Sequence, residues 1–103
     1  MKSLTIIIHT DDEQELINYL RARSYVGGFT LTHVSGHGVK PEQDAFLAAR
    51  DQVVGASPRL KVEIIVHDDD AETLLIALRG LKEAEKLHEA YYWITPVQSG
   101  GHL

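Results

Sequence analysis

The order of elements legible in this 103-residue chain is β-α-β-β-α-β, which predicts an α+β fold with a four-stranded antiparallel sheet. Three observations carry that expectation. Short β-branched runs alternate with two amphipathic stretches of helical period. Each amphipathic stretch opens on a cluster of acids, as a helix N-terminus favours. The two helices can cover only one face of the sheet, so the strands should alternate between a core face and an open face.

The elements follow in order. Leu4 to His9 is a β-branched run and reads as the first strand. Thr10-Asp11-Asp12-Glu13 has the spacing of a capping box, and Leu16, Ile17 and Leu20 then share one helical face. Gly27-Gly28 breaks the helix. Phe29 to Ser35 is the second strand, with Phe29, Leu31 and His33 on one side and Thr30, Thr32 and Val34 on the other. A long connection follows over 37–58, within which Ala45 to Val54 has weak helical character. Leu60, Val62, Ile64 and Val66 alternate with Lys61, Glu63, Ile65 and His67 as the third strand. Asp69-x-x-Glu72 resembles a second capping box, and Leu74, Leu75, Leu78 and Leu81 give the helix its buried face. A polar stretch over Lys82 to Glu89 leads to an aromatic fourth strand, Tyr91 to Val97, and a glycine-rich tail. This is the ferredoxin-like βαββαβ arrangement, with two helices on one face. Ile7, Ile65 and Ile94 are expected opposite the helix-facing set of Ile8, Ile64 and Trp93. Both faces are therefore partly apolar, which points to self-association.

Composition narrows the function classes. Ten basic against fifteen acidic residues give a net charge of −5, which disfavours binding to a phosphate backbone, so no nucleic-acid partner is expected. No apolar run reaches the roughly 18 residues of a membrane span, so no membrane insertion is expected either. The opening Met1-Lys2-Ser3-Leu4 lacks the pattern of a signal peptide, and the absence of cysteine removes disulfides and thiol chemistry. The expectation is one cytoplasmic domain over 1–103. Ser35, Ser57 and Ser99 lie in no nucleophile elbow, and Gly36-His37-Gly38 lacks phosphate-loop spacing, so the chain is not expected to be an enzyme.

The segment Gly28-Phe29-Thr30-Leu31-Thr32-His33-Val34-Ser35-Gly36-His37-Gly38 resembles the Gly-x-Thr-Val-Thr-Glu-Val-x-Gly-Phe-Gly segment of the PII-like signalling proteins. Lys61 to Val66 is similar to that family's Lys-Ile-Asp/Glu-Val-x-Val strand, and the acids at 68–70 and the aromatic last strand fit as well. Gln52-Val53-Val54-Gly55 and Tyr92-Trp93-Ile94-Thr95-Pro96-Val97 look closer to a branch often encoded beside heavy-metal efflux systems. The resemblance implies a homotrimer whose sheets pack inward. It implies a loop over 37–58 that docks onto a protein partner such as a membrane transporter, and a nucleotide site in the cleft between subunits. Thr30, Gly36, Gly38, Glu63 and Ile65 would carry the contact with ADP or ATP. The sequence departs from the family where its members hold phosphates: His88-Glu89-Ala90-Tyr91 stands in place of a Gly-Asp-Gly-Lys turn, the C-terminal arginines are missing, and 37–58 contains no tyrosine.

Six histidines are the compositional excess. His37, between two glycines, reads either as an exposed turn residue or as a ligand for Cu, Zn or Ni. His102, in the tail, is its expected partner across a subunit interface. His33 and His37 are four apart on an extended strand, about 13 Å, too far to share an ion. His67 and His9 read as strand-end residues, and His88 as a solvated loop residue. Three functions remain open: a transition-metal sensor using His37 and His102, an adenine-nucleotide-binding regulator, and a ligand-independent assembly module.

Overall fold

The computed structural model describes residues 1–37 and 56–103. Gly38, the weak helix expected over 45–54 and most of the 37–58 connection lie outside the described residues. Four strands, β1 (Lys2–His9), β2 (Phe29–Gly36), β3 (Ser57–Val66) and β4 (Tyr91–Pro96), form one sheet in the order β2-β3-β1-β4, every neighbour antiparallel. The helices are α1 (Glu13–Arg21) and α2 (Asp68–Glu83). This is the expected ferredoxin-like order.

Strand parity decides what each face does. Leu4, Ile6 and Ile8 of β1 and Leu60, Val62, Ile64 and Val66 of β3 are buried. They join Leu16 and Leu20 of α1 and Leu74, Leu75, Leu78 and Leu81 of α2 in one core. Full burial of each such side chain contributes about 1.5–3 kcal/mol. The intervening residues form the open face. Ile7 and Ile65 lie on it as expected. On β4 the expectation is reversed: Ile94 pairs with Leu4 and packs against the core, while Trp93 pairs with Thr5 on the open face. Pairing with β1 sets this register, and an aromatic run of six residues carries no alternation from which to read it.

Both helix starts differ from a capping box. Thr10–Asp12 is a 3-10 turn, α1 begins at Glu13, and neither Asp12 nor His67 makes a side-chain cap bond. At α2 the main-chain oxygen of His67 accepts the N–H groups of Asp70 and Ala71, and Asp68 pairs with the amino group of Met1 at 2.8 Å. That ammonium donates a hydrogen bond to the Asp68 carboxyl and holds it below the usual carboxylate range. The acids at 68–70 complement the helix dipole instead of capping the first turn.

The end of α2 positions everything that follows. The Lys86 N–H donates to the Leu81 oxygen at 2.9 Å, and Glu85 takes a left-handed φ of 61°. This reversal delivers Leu87 into the core, where it is 5% exposed, and sets His88 beside the start of α1. The stretch Lys82 to Glu89, polar in sequence, is thus helix end, turn and core anchor. β3 also begins earlier than its alternation suggests, at Ser57, which pairs with Gly36.

Candidate functional site

The open face is organised in rows across the sheet. Thr30, Glu63, Thr5 and Trp93 form one row by register, and Thr32, Lys61, Ile7 and Tyr91 the next. Ile65, Ser3 and Thr95 form a third. Lys61 and Glu63, two apart on β3, make an ion pair at 3.3 Å. Large apolar groups remain uncovered in the single chain: Ile65 is 43% exposed, Trp93 41% and Tyr91 71%. The Tyr91 and Trp93 rings lie 6.2 Å apart, tilted by 56°.

Thr30 and Glu63 are direct cross-strand partners, and Ile65 lies two residues on from Glu63, on the same face. These three therefore come together. Gly36 does not join them within one chain: it ends β2, six residues from Thr30, about 20 Å along an extended strand. A side chain at Gly36 would meet Arg59 Cγ at 2.9 Å, so Arg59 crosses directly over this glycine. Gly38 lies outside the described residues.

His37 and His102 also lie at opposite ends of the sheet. His37 follows Gly36, at the end where β1 finishes with His9 paired to Arg59. The tail leaves from the other end: Pro96 pairs with Lys2, Val97 N–H donates to the Met1 oxygen, and Gly100 sits beside Met1 and Val97. Both histidines are exposed. Among the described residues no three groups of metal-ligand type converge on one point.

Two features escape sequence reasoning. A groove of about 680 Å³ runs beside the start of β2, lined by Ile17, Arg21, Val26, Gly27, Gly28, Phe29, Thr30 and Leu31. Gly27 and Gly28 have open space where a side chain would stand, which keeps it clear. The second feature corrects the reading of His88 as a solvated loop residue. Its backbone N–H donates to Asp12 Oδ2 at 2.9 Å, and its Nδ1 lies 2.9 Å from Asp12 Oδ1. Asp12 and His9 are each 5% exposed, and the His9 and His88 rings lie 5.0 Å apart. Asp12 and His88 are 76 residues apart in sequence, which hides this cluster from any local pattern.

A family model described as a protein of unknown function, DUF3240, matches residues 1–103. The chain belongs to the DUF3240 family. A crystal structure of a DUF3240 family protein from Shewanella baltica OS155 superposes with a TM-score of 0.76 at 22% identity, over 99% of this chain and 94% of that one. More distant similarity reaches the nitrogen regulatory proteins P-II. The chain is 26% identical over 98 residues to one from Cereibacter sphaeroides, covering 95% of this chain and 87% of the relative. It is 32% identical over 75 residues to P-II 2 of Methanothermobacter thermautotrophicus, covering 73% of this chain and 64% of that relative, less than two thirds of its length. Among the described residues no helix is long and apolar enough to cross a membrane.

Proposed function

We propose that this DUF3240 chain is a P-II-like regulator. It assembles as a homotrimer through its open sheet face, senses a small ligand in the clefts between subunits, and signals to a protein partner through the 37–58 segment. One observation carries the reading: the candidate ligand residues divide between the two ends of the sheet. Gly36 and His37 stand at one end, and Thr30, Glu63, Ile65 and the tail bearing His102 at the other. A cleft formed by two neighbouring chains unites the two halves, and a single chain does not. Exposed Ile65 and Trp93 supply the apolar area for that contact, and the P-II relatives support a regulatory role.

Two ligand classes fit such a cleft. A transition-metal ion (Cu, Zn or Ni) would be held by His37 of one subunit and His102 of the next, and the partner would then be a metal-efflux transporter. An adenine nucleotide would be held by Thr30, Glu63 and Ile65 of one subunit and Gly36 and Gly38 of the next. The Thr30–Glu63 pairing favours this second reading, because it sets a hydroxyl and a carboxylate side by side as partners for a base. Titration calorimetry of metal-free protein with Cu²⁺, Zn²⁺, Ni²⁺, ADP and ATP tests both. Metal binding lost in both His37→Ala and His102→Ala supports the first. Nucleotide binding lost in Glu63→Ala and kept in His37→Ala supports the second. Binding of neither class would reduce the protein to an assembly module acting through 37–58 alone.

A further inference from the structure

The two outer strands of the sheet carry backbone groups that the chain itself does not pair. Val97 N–H donates to the Met1 oxygen at 3.0 Å, and these two residues continue the β1–β4 register. Bonded pairs in an antiparallel ladder recur at every second residue, so Tyr91, Trp93 and Thr95 bond inward to β1. The N–H and C=O of Tyr92 and Ile94, and the C=O of Pro96, therefore point off the sheet. Carried through the β1–β3 and β3–β2 registers, the same alternation turns Phe29, Leu31, His33 and Ser35 of β2 outward. Among the described residues no backbone hydrogen bond reaches these outward groups.

Neither edge is defended against pairing. β2 has eight residues and β4 six, and neither contains a lysine, an arginine or a carboxylate. Pro96, which has no N–H to offer, stands only at the last position of β4. Long uncharged edges of this kind template the addition of another strand. The two edges also match each other. β2 and β1 run one way and β3 and β4 the other, so β4 of a second copy laid beside β2 continues the antiparallel order. The outward groups of both edges belong to rows of the helix-covered face: Phe29, Ile64, Leu4 and Ile94 form one, and Leu31, Val62, Ile6 and Tyr92 the next. Pairing in phase therefore keeps the open faces of the two copies on the same side.

We propose that β2 of each chain pairs antiparallel with β4 of the next copy, an inference that rests on the homotrimer proposed above. A head-to-tail contact uses each edge once per chain and closes into a ring, whereas β2 against β2 is a two-fold contact that does not close at three copies. The start of β2 then meets the end of β4, which brings Pro96 of the partner subunit to the groove beside β2. Ile17, Val26, Phe29 and Leu31 line that groove, and all four are only half-buried in the single chain. The groove is thus a socket for the neighbouring copy, completed by a residue that its own chain does not supply. On the other face the same pairing encloses Ile65, Tyr91 and Trp93, which the single chain leaves exposed.

The test is amide hydrogen exchange by NMR on the native protein, with its mass from light scattering. The expected result is a mass of three chains, with the Leu31, His33, Tyr92 and Ile94 amides exchanging at least about 100-fold more slowly than in an unfolded chain. His33 is exposed, and His33→Pro removes an outward N–H while leaving the β2–β3 ladder bonds in place. It should weaken association at least about 10-fold, and His33→Ala, which keeps the N–H, should leave association unchanged. Circular dichroism confirms that both variants are folded. A mass of three chains with these amides exchanging at unfolded-chain rates overturns the edge pairing and leaves the open-face trimer standing, as does a His33→Pro chain that associates like the native one. A mass of two chains with the β2 amides alone protected overturns it in favour of β2 paired with itself. A mass of one chain overturns both the edge pairing and the homotrimer.

Discussion

Replacing Asp12 by alanine removes the two hydrogen bonds that hold the turn before β4 against the start of α1. Both run to a carboxylate that is almost fully buried, with donors at 2.9 Å. A hydrogen bond to a charged group contributes about 1.5–3 kcal/mol, and a buried donor left without an acceptor costs about 1–3 kcal/mol. The His88 ring is about a third exposed, so water recovers part of its loss. Asp12→Ala should therefore cost about 2–4 kcal/mol. His88→Ala keeps the backbone N–H bond and should cost less, about 1–2 kcal/mol. The assay is urea unfolding of both single variants and the double variant. In the double variant the loss should fall well short of the sum of the single losses, because the ring bond is counted in each. A shift of less than about 0.5 kcal/mol in Asp12→Ala, the scale of a surface substitution, or a larger loss in His88→Ala than in Asp12→Ala, would show that this carboxylate does not anchor the turn.

Four further outcomes follow from the same geometry. Ile64→Ala empties a fully buried core position and should cost about 2–5 kcal/mol in denaturant unfolding. Ile65→Glu, one residue on but on the open face, should leave the chain folded by circular dichroism and reduce its light-scattering mass to that of one chain, because a charge without a partner is costly to bury between subunits. Glu85→Gly relieves the left-handed φ of 61° and should raise stability by about 0.5–1 kcal/mol, read as a higher urea midpoint. The lowered Asp68 carboxyl stabilises the fold above the usual carboxylate range, and that contribution disappears as pH falls through the lowered value. Asp68→Asn should then cost stability at pH 7, less in high salt, and nothing at strongly acid pH where both chains carry a neutral group.

The sheet and its helices were legible because their signal is local. β1 is a short β-branched run, β3 alternates cleanly and the leucines of α2 repeat with helical period, so spacing alone points Ile8, Ile64 and Leu74 to the core, where all three are buried. β4 was misread because its six residues carry three aromatics and no clean alternation, and only pairing with β1 decides that Ile94 faces inward and Trp93 outward. The capping boxes failed for a related reason. Thr10 enters a 3-10 turn and Asp12 turns its carboxylate to His88, a partner 76 residues away that outweighs the local cap. The same separation made His88 look solvated. Of the candidate ligand residues, alternation along β3 puts Glu63 and Ile65 on one face, and only strand pairing brings Thr30 beside Glu63. That they lie far from Gly36, and His37 far from His102, became visible only once strand direction was fixed.

Closure of the open face against other copies of the chain is read from the mass of the native protein at micromolar concentration. Light scattering should give three times the 11.5 kDa of one chain. Trp93, the only tryptophan, should emit at the short wavelengths of a buried indole although it is 41% exposed in the isolated chain. A mass of one chain, with the emission of a solvated tryptophan, would contradict the account.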